Sequence, residues 1–288
     1  MSVSSRFSHV TQVECPRDSW QGFSRVIPTA EKVTYLKQLV TAGFTHIDFA
    51  SFVSPKEVPQ MRDAEQVWTA LRDDARGVYA IAIVVNARGL DRALAVGGIP
   101  AVGYPLSLSS EFQRRNTGMT MEEAWSVLGS LRRRTSDAGI DLNVYLSMGF
   151  GNPYGEPWSV AHLVDTLARV RDSGVSIVML ADTIGCATAP QIKDLFTVCR
   201  SRCPDVAVGA HFHAAPDRWR ANVEAALEAG CERIDSALGG IGGCPFAQDA
   251  LVGNVPTEGV WNLLELSEQT ETFSRALEEA KRLYREYH

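Results

Sequence analysis

The chain has 288 residues, enough for one large domain or two modest ones. Hydrophobic residues make up 45% and charged residues 22%, and a net charge of −6 gives no electrostatic basis for binding nucleic acid or a membrane surface. No apolar run approaches the roughly 20 residues of a membrane span, and the opening residues hold no signal-peptide core. Six scattered cysteines without a Cys-x-x-Cys pair fit reduced thiols in a cytoplasmic protein.

In chain order, short runs rich in Val, Ile and aromatic residues predict eight strands. They are HVTQVEC (9–15), FTHIDFA (44–50), VYAIAIVV (78–85), PAVGYPL (100–106), IDLNVYLS (140–147), VSIVMLA (175–181), VAVGAHF (206–212) and CERIDSAL (231–238). Amphipathic helical patterns lie between them, among them 29–43, 119–139 and 217–230. Gly43, Gly139, Gly174 and Gly230 each stand between a helical pattern and the next strand, where a helix stop is needed. Such alternation favours a parallel sheet, and eight units over roughly 250 residues is the count of a closed (β/α)8 TIM barrel. The alternative is an open doubly wound sheet, but no Gly-x-Gly-x-x-Gly follows the first strand to support its dinucleotide-binding form. The tail from Glu258 to His288 predicts one or two extra helices, and no linker divides residues 1–288 into a second domain.

In such a barrel the chemistry sits at the C-terminal ends of the strands. Those ends carry Arg17, Asp18 and Gln21 after strand one, Asp48 at the end of strand two and Asp182 at the end of strand six. Strand seven brings His211 and His213, and the segment after strand eight brings Cys244, Gln248 and Asn254. Residues two apart on a strand share a face, so both imidazoles can meet one ion, with Asp18 and Asn254 able to complete the site. Two imidazoles and two oxygens suit a divalent ion with open positions. The alternative is a pair of packed histidines at the barrel mouth. Arg17 and Asp18 also read as a structural ion pair, and Asp48 and Asp182 as acids that cap turns. Cys244 follows the glycines of GGIGGCP and suits a mobile general acid, or else a buried thiol in a tight turn. Arg114 and Arg115, with Asn116 beside them, follow strand four and can meet an anionic group or form a solvated charge run.

These residues together resemble the 3-hydroxy-3-methylglutaryl-CoA lyase family, over about Val10 to Glu258. The similarity rests on VECPRDSWQ, SFVSPKEVPQM, ADTIG, HFH and GIGGCPFAQ, of which the Gly-Gly-Cys-Pro loop is the most specific. The resemblance implies a metal-dependent lyase barrel acting on an acyl-CoA, expected to be a homodimer. It implies that Asp18, His211, His213 and Asn254 bind Mg or Mn, that Arg17 steadies an enolate oxygen and that Cys244 is the mobile acid-base group. Asp182 would act near the substrate hydroxyl, with Gln21 and Glu258 in support. The implied reaction is a retro-Claisen cleavage that yields acetyl-CoA. The chain departs from the family at Asp48, where Glu is usual, at Asn152, where Cys is common, and at Ala214-Ala215-Pro216 after HFH. It also carries one extra residue between Cys244 and Asn254 and a changed loop, LSLSSEF, after strand four. These departures leave room for a related 3-hydroxyacyl-CoA as substrate, for a metal-dependent aldolase or Claisen-type synthase, and for a non-catalytic CoA-ligand-binding barrel.

Overall fold

A computed structural model describes residues 7, 9–242, 252–266 and 269–288. In order the elements are β1 (Thr11–Glu14), α1 (Pro16–Trp20), α2 (Thr29–Thr41), β2 (His46–Ser51), α3 (Ala64–Leu71), β3 (Tyr79–Ile83), α4 (Ala87–Val96) and β4 (Ala101–Ser107). There follow α5 (Ser110–Thr117), α6 (Met121–Ala138), β5 (Asp141–Ser147), α7 (Val160–Asp172), β6 (Ile177–Asp182) and α8 (Ala189–Arg202). The last are β7 (Ala207–Phe212), α9 (Trp219–Glu228), β8 (Arg233–Ser236), α10 (Thr257–Leu263) and α11 (Glu271–Tyr287). All eight strands pair in parallel, and β1 pairs with β8 to close the barrel. This is the expected (β/α)8 TIM barrel, and α10 and α11 are the extra C-terminal helices.

Local chemistry sets the element ends. Thr120 and Glu123 form a reciprocal capping box at the start of α6, which satisfies N–H groups that the helix cannot bond internally. Gly139 closes the same helix in the left-handed conformation, φ 67°, where a side chain would be strained. Alternation along the strands then sorts the core. Outward residues such as Ile47, Phe49, Val102, Val144, Leu180 and Phe212 join helix residues such as Leu36, Leu128, Leu167 and Leu195 in one large apolar layer. Inward residues form smaller clusters, one of them Ile83, Tyr145 and Met179. Gly103 makes that cluster possible, because a Cβ there would lie 2.5 Å from Ile83 Cδ1 and 2.8 Å from Tyr145 Cε2.

The C-terminal helix is tied back to α2. Glu31 of α2 accepts hydrogen bonds from Tyr287 Oη at 2.7 Å and from Arg282 Nη2 at 2.5 Å, both on α11. Among the described residues no helix is long and apolar enough to cross a membrane.

Candidate active site

The C-terminal mouth of the barrel holds a cavity of about 490 Å³. Arg17 and Asp18 enter it from α1, a short helix that begins with Pro16 one residue after β1, and Gln21 enters from the position that caps that helix. Proline fits there because the first helical N–H has no partner within the helix. His211 and His213 enter from the end of β7, and Tyr145, Ser147 and Thr183 from β5 and the turn after β6. The apolar side is formed by Val53, Val58, Ile83, Val85, Pro105 and Phe112.

Barrel closure brings β7, β8 and α1 to one place. Asp18, His211 and His213 each present a ligand atom there, all within 4.8 Å of one another. Asn254 joins from the segment after the barrel, where its backbone N–H bonds Gly240 O at 3.0 Å and it bridges to His213. Its Nδ2 donates to Asp18 Oδ2 and to Ile241 O, each at 2.9 Å, so only its amide oxygen, which faces His213, can serve as a ligand atom. The sequence-predicted metal set therefore converges in space.

These residues fit a divalent ion by a structural criterion as well. His213 Nδ1 is buried and has no hydrogen-bond partner among the described residues. A buried polar atom left unpaired is costly, and an ion beside Asp18 would satisfy it. His211 is held differently: its Nδ1 lies 2.9 Å from Asp235 Oδ2, so Nε2 is the atom left for an ion. Burial pushes the His213 imidazole down to about 4 and leaves it neutral, the form that ligates. Burial acts to lower His211 too, but the bond to Asp235 and the charge of Asp18 outweigh it and raise it. Burial alone would raise the Asp18 carboxyl, yet Arg17 and the two histidines bring it down to about 2, so it is ionised.

Arg17 is fixed on three sides. Its Nε–H is shared between the Asp48 oxygens at 3.2 and 3.1 Å, and Nη2 meets Asp48 Oδ2 at 2.5 Å. Nη1 donates to Asp18 Oδ1 at 3.1 Å and to Gln21 Oε1 at 3.0 Å. A guanidinium has five N–H groups, so one Nη2 hydrogen remains for a ligand in the cavity. Asp48 is fully buried, and burial raises its carboxyl although Arg17 opposes the shift. It reaches Arg17 from β2 next to an irregularity in the β2–β3 register between Asp48 and Ala50. A bulge of this kind re-aims side chains at a barrel rim.

Other sequence-predicted positions land elsewhere. Asp182 does not line the cavity: its oxygens accept the backbone N–H groups of Cys186 at 3.0 Å and Ala187 at 2.9 Å. The turn-capping reading describes these two bonds, and each carboxylate oxygen keeps a further lone pair beyond them. Glu258 also stands off the cavity and instead accepts the Gly239 N–H at 3.0 Å, bracing the glycine turn. Arg114, Arg115 and Asn116 line the outer rim, where both arginines pair with Glu111 and stay largely exposed. Cys244 and Gln248 lie outside the described residues.

Two functional groups escaped the sequence reading. Asp235 is buried on β8, directly across from His211 in the β7–β8 register, and orients its ring. Its signal was present as an acid on the inward face of the strand beside the HFH strand. Glu14 is fully buried at the end of β1 and accepts from Leu238 N at 2.9 Å and Thr257 Oγ1 at 2.5 Å. It thereby ties β1 to the segment that carries the glycine turn.

Comparison with known proteins places the chain in a family. The HMGL-like family matches residues 12–282. The hydroxymethylglutaryl-CoA lyase of Bacillus subtilis is 33% identical over 250 residues, covering 87% of this chain and 83% of that protein. A crystal structure of the B. subtilis HMG-CoA lyase superposes with a TM-score of 0.87 at 31% identity, covering 96% of this chain and 93% of that one. An HMG-CoA lyase from Acinetobacter baumannii, solved in complex with coenzyme A and 3-methylmalate, superposes with a TM-score of 0.85 at 30% identity over 96% of this chain and 91% of that one. The chain belongs to the HMGL-like family.

Proposed function

We propose that this protein is a divalent-metal-dependent carbon–carbon lyase. It cleaves 3-hydroxy-3-methylglutaryl-CoA or a related 3-hydroxyacyl-CoA by a retro-Claisen reaction, giving acetyl-CoA and a keto product. The observation that carries this reading is the gathering of Asp18, His211 and His213 within 4.8 Å, beside a buried Arg17 that keeps one N–H free.

Asp18, His211, His213 and Asn254 would hold Mg or Mn, which supplies Lewis-acid polarisation and a template for the substrate oxygens. The remaining steps fall to the chain's own groups. Loss of the hydroxyl proton to a base lets the C–C bond break, with its electron pair passing to the thioester fragment as an enolate. Arg17 faces that developing negative charge with its spare Nη2 hydrogen, a preorganised contact that needs no rearrangement during the reaction. Asp48 and Gln21 hold the guanidinium at the required angle. Cys244 delivers a proton to the enolate carbon, a role supported by its place in the Gly-Gly-Cys-Pro loop. The apolar side, from Val53 to Phe112, excludes water from the acyl carbons, and Arg114, Arg115 and Asn116 meet the CoA phosphates at the rim.

A cytoplasmic homodimer is part of the same reading, and the five described cysteines, none in a disulfide, fit a reducing compartment. The test is a panel of 3-hydroxyacyl-CoA esters with product identification, with Mg, with Mn and with chelator. Metal-dependent acetyl-CoA release from at least one 3-hydroxy-3-methyl ester is expected. Binding of these esters without any product would instead favour a non-catalytic barrel. Cys244→Ser separates the remaining reading, since a lyase using that thiol loses most of its rate whereas a 2-oxoacid aldolase does not.

A further inference from the structure

We infer that the 152–156 loop after β5 is a clamp that positions α5, and that Glu156 thereby sets how firmly the cavity rim holds the phosphates of its ligand. This rests on the reading above, in which Arg114, Arg115 and Asn116 meet the phosphates of CoA.

The loop is first locked onto itself. Asn152 Oδ1 accepts the N–H groups of Tyr154 at 3.0 Å and Glu156 at 3.2 Å, and Nδ2 donates to Glu156 O at 3.0 Å. An amide side chain can do this because it carries a donor and an acceptor together, and a cysteine at this position has no such pair.

So fixed, the loop grips α5 near both ends. At the first turn the Glu156 carboxylate accepts from the hydroxyls of Ser109 and Ser110 and from Glu111 N at 3.1 Å. An acid there satisfies helix N–H groups and complements the helix dipole. Burial alone would raise the Glu156 carboxyl, but these donors outweigh it and hold it low, so it is an anion. At the last turn the Arg115 guanidinium lies 4.8 Å from the centre of the Tyr154 ring. Glu111 couples the ends, because one carboxylate accepts from both Arg114 and Arg115.

The clamp is needed because α5 spans only eight residues, too few to be stable alone. Only Phe112 and Gln113 of the helix are buried. The helix nonetheless carries the guanidinium groups of the rim. If α5 frays, those side chains must be ordered again each time a phosphate binds, and affinity falls. Glu156 is absent from the cavity lining, so it is a positioning residue.

The experiment compares wild type, Glu156→Gln, Asn152→Ala, the pair Arg114→Ala with Arg115→Ala, and Glu156→Gln combined with that pair. Calorimetry gives the Kd for CoA itself, and acetyl-CoA release gives kcat and KM separately. Glu156→Gln and Asn152→Ala are each expected to weaken CoA binding and raise KM roughly two- to tenfold, the range for loss of a hydrogen bond, with kcat unchanged. In the arginine-pair background Glu156→Gln is expected to add nothing further, since the clamp acts through those arginines. Should the arginine pair bind CoA as tightly as wild type, the phosphate reading itself fails. Should that pair weaken binding while both clamp variants bind like wild type, or lose kcat at unchanged Kd, the clamp is overturned. Thermal melts identify any variant that fails to fold, and Asn152→Ala, which keeps the Glu156 carboxylate, then carries the test.

Discussion

Two charged regions of the barrel mouth differ in how their charges are held. Around Arg17, Asp18 and Asp48 the groups are buried, cross-bonded and supplied by β1, β2, β7 and β8 or the residues that follow them. Around Arg114 and Arg115 the charges are exposed, paired with one carboxylate on the same helix and carried by a single short element. Breaking a buried pair leaves an uncompensated charge and costs about 3–5 kcal/mol, whereas an exposed pair contributes about 0.2–1 kcal/mol. Residues of the same type therefore fail in different ways: interior changes alter ion binding, chemistry and stability together, and rim changes alter ligand binding alone.

Substitutions should sharpen that contrast in descending order. His211→Ala is expected to abolish both stoichiometric metal and turnover, as measured by elemental analysis and acetyl-CoA release. Arg17→Lys keeps the charge but loses the fork that spans Asp48, Asp18 and Gln21. Its kcat should fall by about 10²–10³-fold, the scale for loss of one preorganised donor. Asp235→Asn removes the carboxylate that fixes the His211 tautomer, and Mn affinity should fall by roughly 10–100-fold by titration, at an unchanged fold. The double change Arg114→Ala with Arg115→Ala should leave kcat and metal content alone, raise KM and move stability by no more than about 0.5 kcal/mol in denaturant melts.

Glu14 adds a pH-dependent test of the interior. Burial pushes its carboxyl from 4.5 up to about 8, against hydrogen bonds from Thr257 and Leu238. The folded chain thus holds one proton more than the unfolded chain between these values. That contribution to stability is complete below pH 4.5 and is lost as pH rises toward 8. Glu14→Gln, which does not titrate, should lose this component of the pH dependence in melts between pH 5 and 8. An unchanged slope would show that Glu14 is ionised in the fold.

The legible parts of the molecule were those set by local pattern. Short apolar runs mark all eight strands and helix-stopping glycines precede four of them, because both signals depend on neighbours in sequence. His211 and His213 were visible since strand spacing alone puts them on one face. Asp235 was not, because its importance comes from lying across from His211 in the β7–β8 register, a pairing that exists only once the barrel has formed. Asp182 was visible as an acid at a strand end, but its bonds to the backbone N–H groups of Cys186 and Ala187 exist only once the turn has formed. The clamp was half visible: Asn152 stood out as a departure from the family, but Glu156, which it holds, bonds a turn at Ser109–Glu111 that lies 45 to 47 residues earlier in the chain.

The central claim is that the buried cluster is a metal-dependent lyase site. Its most direct test is acetyl-CoA release from 3-hydroxy-3-methylglutaryl-CoA and its close 3-hydroxyacyl analogues, by wild type and His211→Ala, with Mn present and after chelation. Release by wild type with Mn, and by neither the chelated protein nor the variant, is the expected result. Equal release with and without the metal, or none from any ester by a protein that binds Mn stoichiometrically, would contradict it.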